Sequence, residues 1–260
     1  MFAEALPLDV SARGTVSLAE VLVEAPNLTR VDRKYLVDVR TAQTLVDTLP
    51  AAYRTLSIDG RQFTTYRSTY FDTEDLASCR AHVQQRRRRW KARSRLYVED
   101  GLCRVEVKAR DGRGRTEKTV TDSDVEAYGL LDEAGAAFVG ATLAGHAMEA
   151  DVLALRPTME VGYRRTTLAD TLEEMSRVTL DWRVQCTLDG ERVWLDHGYV
   201  LVETKGGLRP GRADRLLAEL GARPRSFSKY VAAASLMRDD LHDNDVRALH
   251  GRELHLERAS

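Results

Sequence analysis

From residue 29 onward the chain alternates apolar and polar positions in short runs bounded by turn residues, the signature of strands with one buried face. Such runs cover 30–37, 54–58, 63–71, 86–98, 103–110, 115–121, 158–167, 176–188, 191–195 and 199–205. Asp59-Gly60, Glu99-Asp100-Gly101, Asp111-Gly112-Arg113-Gly114 and Asp189-Gly190 stand between them as turns, which predicts hairpins and an antiparallel meander. Helical spacing marks 17–24, 41–49 behind a Thr41 cap, 72–82 from a start at Asp72, 122–155, 212–220 and 228–237. Residues 1–28 read as an N-terminal extension and 239–260 as a polar C-terminal tail carrying His242, His250 and His255. Val105-Glu106-Val107-Lys108 is echoed by Val202-Glu203-Thr204-Lys205, and two halves each with such a strand point to one closed antiparallel structure, an α+β fold.

Composition narrows the class. At 260 residues, 43% hydrophobic and 30% charged, the chain is long enough to bury its own core and is neither disordered nor fibrous in type. Cys79, Cys103 and Cys186 are odd in number and lack metal-ligand spacing, and no charged start followed by an apolar run marks a signal peptide. These features predict a reduced, cytoplasmic protein. The most apolar stretch, 134–155, is interrupted by Gly140, Gly145, His146, Glu149 and Asp151, which excludes a spanning helix there. There is no Walker-type glycine loop and no HExxH pairing.

A formal charge of −1 argues against an anionic partner until the charges are placed. Between Asp75 and Glu99 there is no acid, while Arg80, Arg86, Arg87, Arg88, Arg89, Lys91, Arg93 and Arg95 contribute +8, leaving −9 for the rest of the chain. Successive strand side chains face opposite ways, so Arg89, Lys91, Arg93, Arg95 and Tyr97 share one face, and Trp90, Ala92, Ser94 and Leu96 the other. The same split sets Arg104, Glu106, Lys108 and Arg110 against Cys103, Val105 and Val107, and Leu201, Glu203 and Lys205 against Val200, Val202 and Thr204.

One such strand reads as a solvated outer face. Several, curled so that their charged faces converge, would line a polar channel whose like charges only a polyanion stabilises. Arginine and lysine suit phosphate oxygens, and glutamates among them would hold a divalent metal that bridges phosphates. Tyr35, Tyr70, Phe71 and Leu180 read as core, Cys103 as a buried thiol, Asp72 as a helix cap, and Arg86 to Arg88 as a solvated or anion-steering rim.

Eight segments in order carry a family resemblance: Asp32-Arg33-Lys34-Tyr35, Tyr70-Phe71-Asp72-Thr73, Lys91-Ala92-Arg93-Ser94-Arg95-Leu96-Tyr97, Val105-Glu106-Val107-Lys108, Tyr163-Arg164-Arg165-Thr166, Arg177-Val178-Thr179-Leu180-Asp181, Val202-Glu203-Thr204-Lys205 and Ser226-Phe227-Ser228-Lys229-Tyr230. Together they resemble the VTC domain, the catalytic domain of the vacuolar transporter chaperone polyphosphate polymerase, in the triphosphate tunnel metalloenzyme (CYTH-like) superfamily. The resemblance runs from about residue 30 to 237, so the domain is placed at 29–238. It implies a closed antiparallel β-barrel forming a tunnel, with surrounding helices.

The resemblance further implies a metal-dependent phosphotransferase that moves the γ-phosphate of ATP, or another nucleoside triphosphate, onto a growing inorganic polyphosphate chain. Arg93, Arg95, Arg165 and Arg177 match the arginines that hold the reacting phosphates. Lys34, Lys108, Lys118, Tyr163, Ser228 and Lys229 match substrate-binding positions. Glu203 matches the metal-binding glutamate for Mn²⁺ or Mg²⁺, with Glu106 as a second acid. The first strand departs from the family's Glu-x-Glu-x-Lys, having Arg30 and the shorter Asp32 at the acid positions. A separate membrane protein is implied as a partner, placing the chain at the inner membrane face, and no nucleic acid. The alternatives are a tunnel triphosphatase acting on inorganic, nucleoside or thiamine triphosphate, and a non-catalytic polyphosphate-binding module.

Overall fold

In the computed structural model the described residues are 7–23, 31–172, 176–242 and 246–259; Arg30, at one of the altered acid positions, lies outside them. The elements run β1 (Thr15–Ser17), α1 (Leu18–Val23), β2 (Val31–Asp38), α2 (Val39–Thr48), β3 (Tyr53–Ser57), β4 (Thr64–Asp72), α3 (Ala77–Val83), β5 (Arg89–Tyr97), β6 (Leu102–Arg110), β7 (Thr116–Ser123), α4 (Glu133–Gly145), β8 (Arg156–Asp170), β9 (Arg177–Leu188), β10 (Glu191–Leu195), β11 (Tyr199–Gly206), α5 (Arg212–Glu219), α6 (Lys229–Met237) and β12 (Leu254–Glu257). They divide into two units, one of residues 1–64, 164–183 and 195–226, the other of 65–163, 184–194 and 227–260.

In the first unit β11 lies between β2 and β9, antiparallel to both, with Glu203 opposite Lys34 on one side and Thr179 on the other. The face bearing Tyr35, Val37, Val178, Leu180, Val200 and Val202 is buried against Ala42, Leu45 and Val46 of α2 and Leu217 of α5. This burial of alternate residues drives the pairing, at roughly 25 cal/mol for each Å² of apolar surface removed from water. The cap of α2 is Asp38, not Thr41: its carboxylate accepts from the Thr41 amide at 2.7 Å, satisfying one of the helix's orphan donors. Buried Asp214 ties α5 down by accepting from Tyr35 Oη at 2.8 Å, Thr204 Oγ1 at 2.5 Å and the Gly211 amide at 2.8 Å.

The described part of the expected N-terminal extension is built into this unit. Leu8 and Val10 join its core, Arg13 donates to the Leu49, Pro50 and Tyr53 carbonyls, and β1 pairs in parallel with β3. The turn at Asp59-Gly60 forms, with positive φ at both residues, but β3 pairs with β8 rather than completing a hairpin. Tyr53 and Thr55, both fully buried, take their partners from Asp170 and Leu168.

In the second unit β5, β6 and β7 form the expected meander and β4 pairs with β5, with Tyr70 opposite Arg93, Arg93 opposite Glu106, and Lys91, Lys108 and Lys118 in one row. Phe71, Ala92, Val105, Val107 and Ala109 pack on Val139 and Leu143 of α4. The helix expected over 122–155 is shorter. Asp122 and Ser123 finish β7, and α4 starts only at Glu133 because Asp132 caps it, accepting from the Gly135 amide at 2.8 Å. The expected polar tail is also ordered: Val246, Leu249 and Leu254 are buried and β12 pairs with β10. Because β7 and β12 are edge strands, backbone pairing closes no ring among the described residues. The three cysteines are buried and unlinked, with burial pushing the Cys79 and Cys186 thiols up to about 12. Among the described residues no helix is long and apolar enough to cross a membrane.

Candidate functional site

In the second unit the cation-bearing face of the meander gathers on one carboxylate. Glu106, 3% exposed, accepts from Arg93 Nε at 2.7 Å and from Lys118 Nζ at 2.6 Å, and Arg95 Nη1 stands 3.8 Å away. Burial by itself would raise the Glu106 pKa, but Arg93, Arg95 and Lys118 outweigh it and hold the carboxyl well below its ordinary range. Burial likewise opposes the charge on Arg93, and is overcome by Tyr70, Glu106 and Tyr163, so the guanidinium stays protonated. Arg93 Nη1 also donates to Tyr70 Oη at 2.8 Å, and Arg95 Nε to Ser68 Oγ at 3.2 Å. These bonds aim both arginines, whose strand positions alone place them only on a common face.

The start of α6 supplies the next groups. Lys91 Nζ donates to Ser228 Oγ at 3.1 Å, and Lys229 Nζ sits 4.2 Å from the centroid of the Tyr163 ring, which stacks on Tyr66 at 5.0 Å. Helix α6 is fixed by Tyr230, which donates to buried Asp72 at 2.6 Å and stacks on Tyr70 at 4.6 Å. Asp72 also accepts from the Ser78 and Cys79 amides at 2.9 Å each, the helix-end role expected of it. The sequence reading missed Tyr70 and Lys91 as site residues; the register, with Tyr70 opposite Arg93, is what exposes Tyr70 as more than core.

His82 of α3 is held neutral beneath this face. Burial, then the nearby charges of Lys91, Arg89 and Lys108, push its pKa down to about 3, while Nδ1 stays 3.0 Å from the Ser78 carbonyl. Its folded pKa lies below the unfolded value, so its contribution to stability is present above about pH 6.5 and fades as the pH falls toward the folded value. Thermal melts of the wild type therefore lose more between about pH 7 and pH 5 than those of His82→Gln; identical pH dependences would remove this assignment.

In the first unit the polar face of β2, β11 and β9 alternates in sign. Its rows are Asp32, Lys205 and Arg177; Lys34, Glu203 and Thr179; Leu36, Leu201 and Asp181. Arg165 of β8 forks Asp181, with Nε 2.5 Å from Oδ1 and Nη2 2.8 Å from Oδ2, and its Nη2 is 3.9 Å from Glu203. Lys205 Nζ lies 3.4 Å from Glu203 Oε1. Arg177 Nη2 donates to the Val21 carbonyl at 2.5 Å, so part of its donor capacity holds α1. Asp181, fully buried, is a partner that alternation from Arg177 could have revealed.

The two carboxylates expected to bind metal differ. Both oxygens of Glu106 are engaged by cations, a donor set that repels a divalent ion. Glu203 has Lys205 Nζ at 3.4 Å and Arg165 Nη2 at 3.9 Å, and a carboxylate oxygen is the ligand type that Mg²⁺ takes. No group of three or more His, Cys, Asp or Glu suited to a metal occurs among the described residues.

The sequence of this chain matches the family model of the VTC domain over residues 29–238. The chain belongs to the VTC domain family. No curated protein matches it. Among solved structures, a candidate adenylyl cyclase of Hippeastrum with a dominant triphosphatase activity is similar at 16% identity and a TM-score of 0.51, over 82% of this VTC chain and 100% of that one. A candidate adenylate cyclase of Bacillus halodurans is similar at 16% identity and TM-score 0.43 over 74% of this chain and 89% of that one. A protein of Pyrococcus horikoshii is similar at 13% identity and TM-score 0.46 over 81% and 100%. The fold is thus that of the triphosphate tunnel group.

Proposed function

We propose that this VTC domain is a polyphosphate polymerase that uses ATP or another nucleoside triphosphate. The observation that carries the reading is the cluster of Arg93, Arg95 and Lys118 on Glu106, oriented cations on a strand face with a carboxylate standing where phosphate charge would go. A terminal phosphate oxygen of the polymer attacks the γ-phosphorus, the bond from that phosphorus to the bridging oxygen breaks, and a nucleoside diphosphate leaves. Such transfer depends on positioning and charge stabilisation more than on covalent chemistry. The acceptor phosphate is its own nucleophile.

A triphosphatase would instead profit from a base to activate water. Glu106, held far below its ordinary pKa by three cations, and Asp181, forked by Arg165, are poor candidates, which favours the polymerase. Glu106 is assigned here as the counter-ion that sets Arg93 and Arg95 in place, and Glu203 as the residue that would hold Mn²⁺ or Mg²⁺. When bound, that metal would neutralise phosphate charge. Lys34, Lys108 and Lys229 would guide the polymer, and a membrane partner would couple synthesis to transport.

The test incubates purified protein with ATP and Mn²⁺ and follows polyphosphate length and free phosphate together. Chain growth that loses its metal stimulation in Glu203→Gln is expected. Phosphate release without polymer would transfer the protein to the triphosphatase class, and tight polyphosphate binding without turnover to the non-catalytic one.

A further inference from the structure

The cationic face of the meander does not stop at the Glu106 cluster. Two residues out from Arg93 along β5, Lys91 faces Lys108 and Lys108 faces Lys118; two further, Arg89 faces Arg110. Like charges directly opposite one another destabilise a sheet. In the Arg93 row Glu106 offsets them, but the Arg89–Arg110 row contains no acid. Burial and Arg110 together push the Arg89 pKa down.

The segment before β5 adds to this end. Arg88 lies against the β6–β7 turn, its Nε 3.5 Å from where a Cβ on Gly112 would stand, and Arg110 Nη2 is 3.3 Å from the corresponding point on Gly114. Arg88, Arg110 and Arg113 thus meet at one turn, with exposed Arg86 and Arg87 beside them. The hydrogen bonds that steady these arginines go to neutral oxygens: Arg89 Nη1 to the Arg86 carbonyl at 2.6 Å, Arg88 Nη1 to the Ala147 carbonyl at 3.4 Å and Arg86 Nε to Gln84 Oε1 at 2.9 Å. Of the carboxylates in the same hairpin, Asp111 is engaged by the Arg113 and Arg115 amides of the turn, and Glu117 pairs with Ala109 on the apolar-side register.

We propose that Arg87, Arg89 and Arg110 form a chain-holding site for a linear polyanion, distinct from the Glu106 cluster and reached from it along β5. Four residues of strand separate the Arg93 and Arg89 rows, about 14 Å. That outreaches a triphosphate seated at Arg93 and Arg95, so the ligand is inorganic polyphosphate of greater length. Single-stranded nucleic acid fits less well, because it calls for aromatic platforms, and the one aromatic residue here, Trp90, packs on the opposite, apolar face. The inference takes its ligand from the function proposed above but does not require the transfer reaction.

The experiment measures binding of tripolyphosphate and of long-chain polyphosphate, over a range of salt, to the wild type and to the variant Arg87→Gln/Arg89→Gln/Arg110→Gln. The variant is expected to lose most of the preference for the long chain, with a shallower salt slope by nearly one for each contact removed, while tripolyphosphate binding stays within about twofold. Retained long-chain preference, equal loss for both ligands, or tighter binding of single-stranded RNA or anionic vesicles than of polyphosphate at this patch would each overturn the site. Circular dichroism and a melt of the variant separate misfolding from lost contacts, and Arg110→Gln alone gives a milder second variant with the same expected direction. If ATP yields no polymer yet the long-chain preference still falls in the variant, the polymerase reading fails and the chain-holding site stands.

Discussion

Arg165→Met lowers the stability of the fold by about 3–5 kcal/mol, because it takes both bonds of the fork from a carboxylate that is fully buried. Asp181 is fully buried, and Arg165 meets both of its oxygens with two parallel N–H···O bonds at 2.5 and 2.8 Å. Removing one partner of such a pair costs the buried carboxylate its two charge-assisted hydrogen bonds; removing both partners removes the buried charge as well. The double variant Arg165→Met/Asp181→Leu is therefore expected to regain most of the lost stability. Urea denaturation of the two variants decides it: a small effect in Arg165→Met, or no recovery in the double variant, would show that the fork is not what holds Asp181 there.

On the polymerase reading proposed above, Arg93→Ala slows polymer formation by about 10²–10³-fold, the usual consequence of deleting one oriented donor from a charge-stabilising site. Its fold survives, since Glu106 keeps Lys118 at 2.6 Å and Arg95 at 3.8 Å. The effect falls on kcat more than on the melting temperature. Arg93→Lys restores charge without the planar fork that spans Glu106 and Tyr70, so it is expected to recover only part of the rate. A kcat within a few-fold of wild type in Arg93→Ala would place the reacting phosphate elsewhere.

The contrast between these two arginines shows how far the chain could be read without its tertiary structure. Both stand in strands, where alternation of side chains between two faces is a local property that the sequence shows, although in β6 and β11 the structure buries residues of both faces. Their partners are not local. Asp181 lies 16 residues from Arg165 and Glu106 lies 13 from Arg93, and the pairings that join them depend on register. Turn chemistry had the same limit: Asp59-Gly60 turns as its residues require, but which strand β3 then joins was settled by the burial of Tyr53 and Thr55 beside β8.

The amino-acid sequence by itself determined most of the strands, their apolar and cationic faces, the turns, and through ordered motifs the VTC family. Only the tertiary structure decided which cation meets which acid. It set Arg93, Arg95 and Lys118 around Glu106, gave the buried Tyr70 a hydrogen bond from Arg93, and placed Arg89 opposite Arg110. The physical reason is range: backbone alternation and capping act over a few residues, whereas the electrostatics of a site depend on distances between side chains that only strand register brings together.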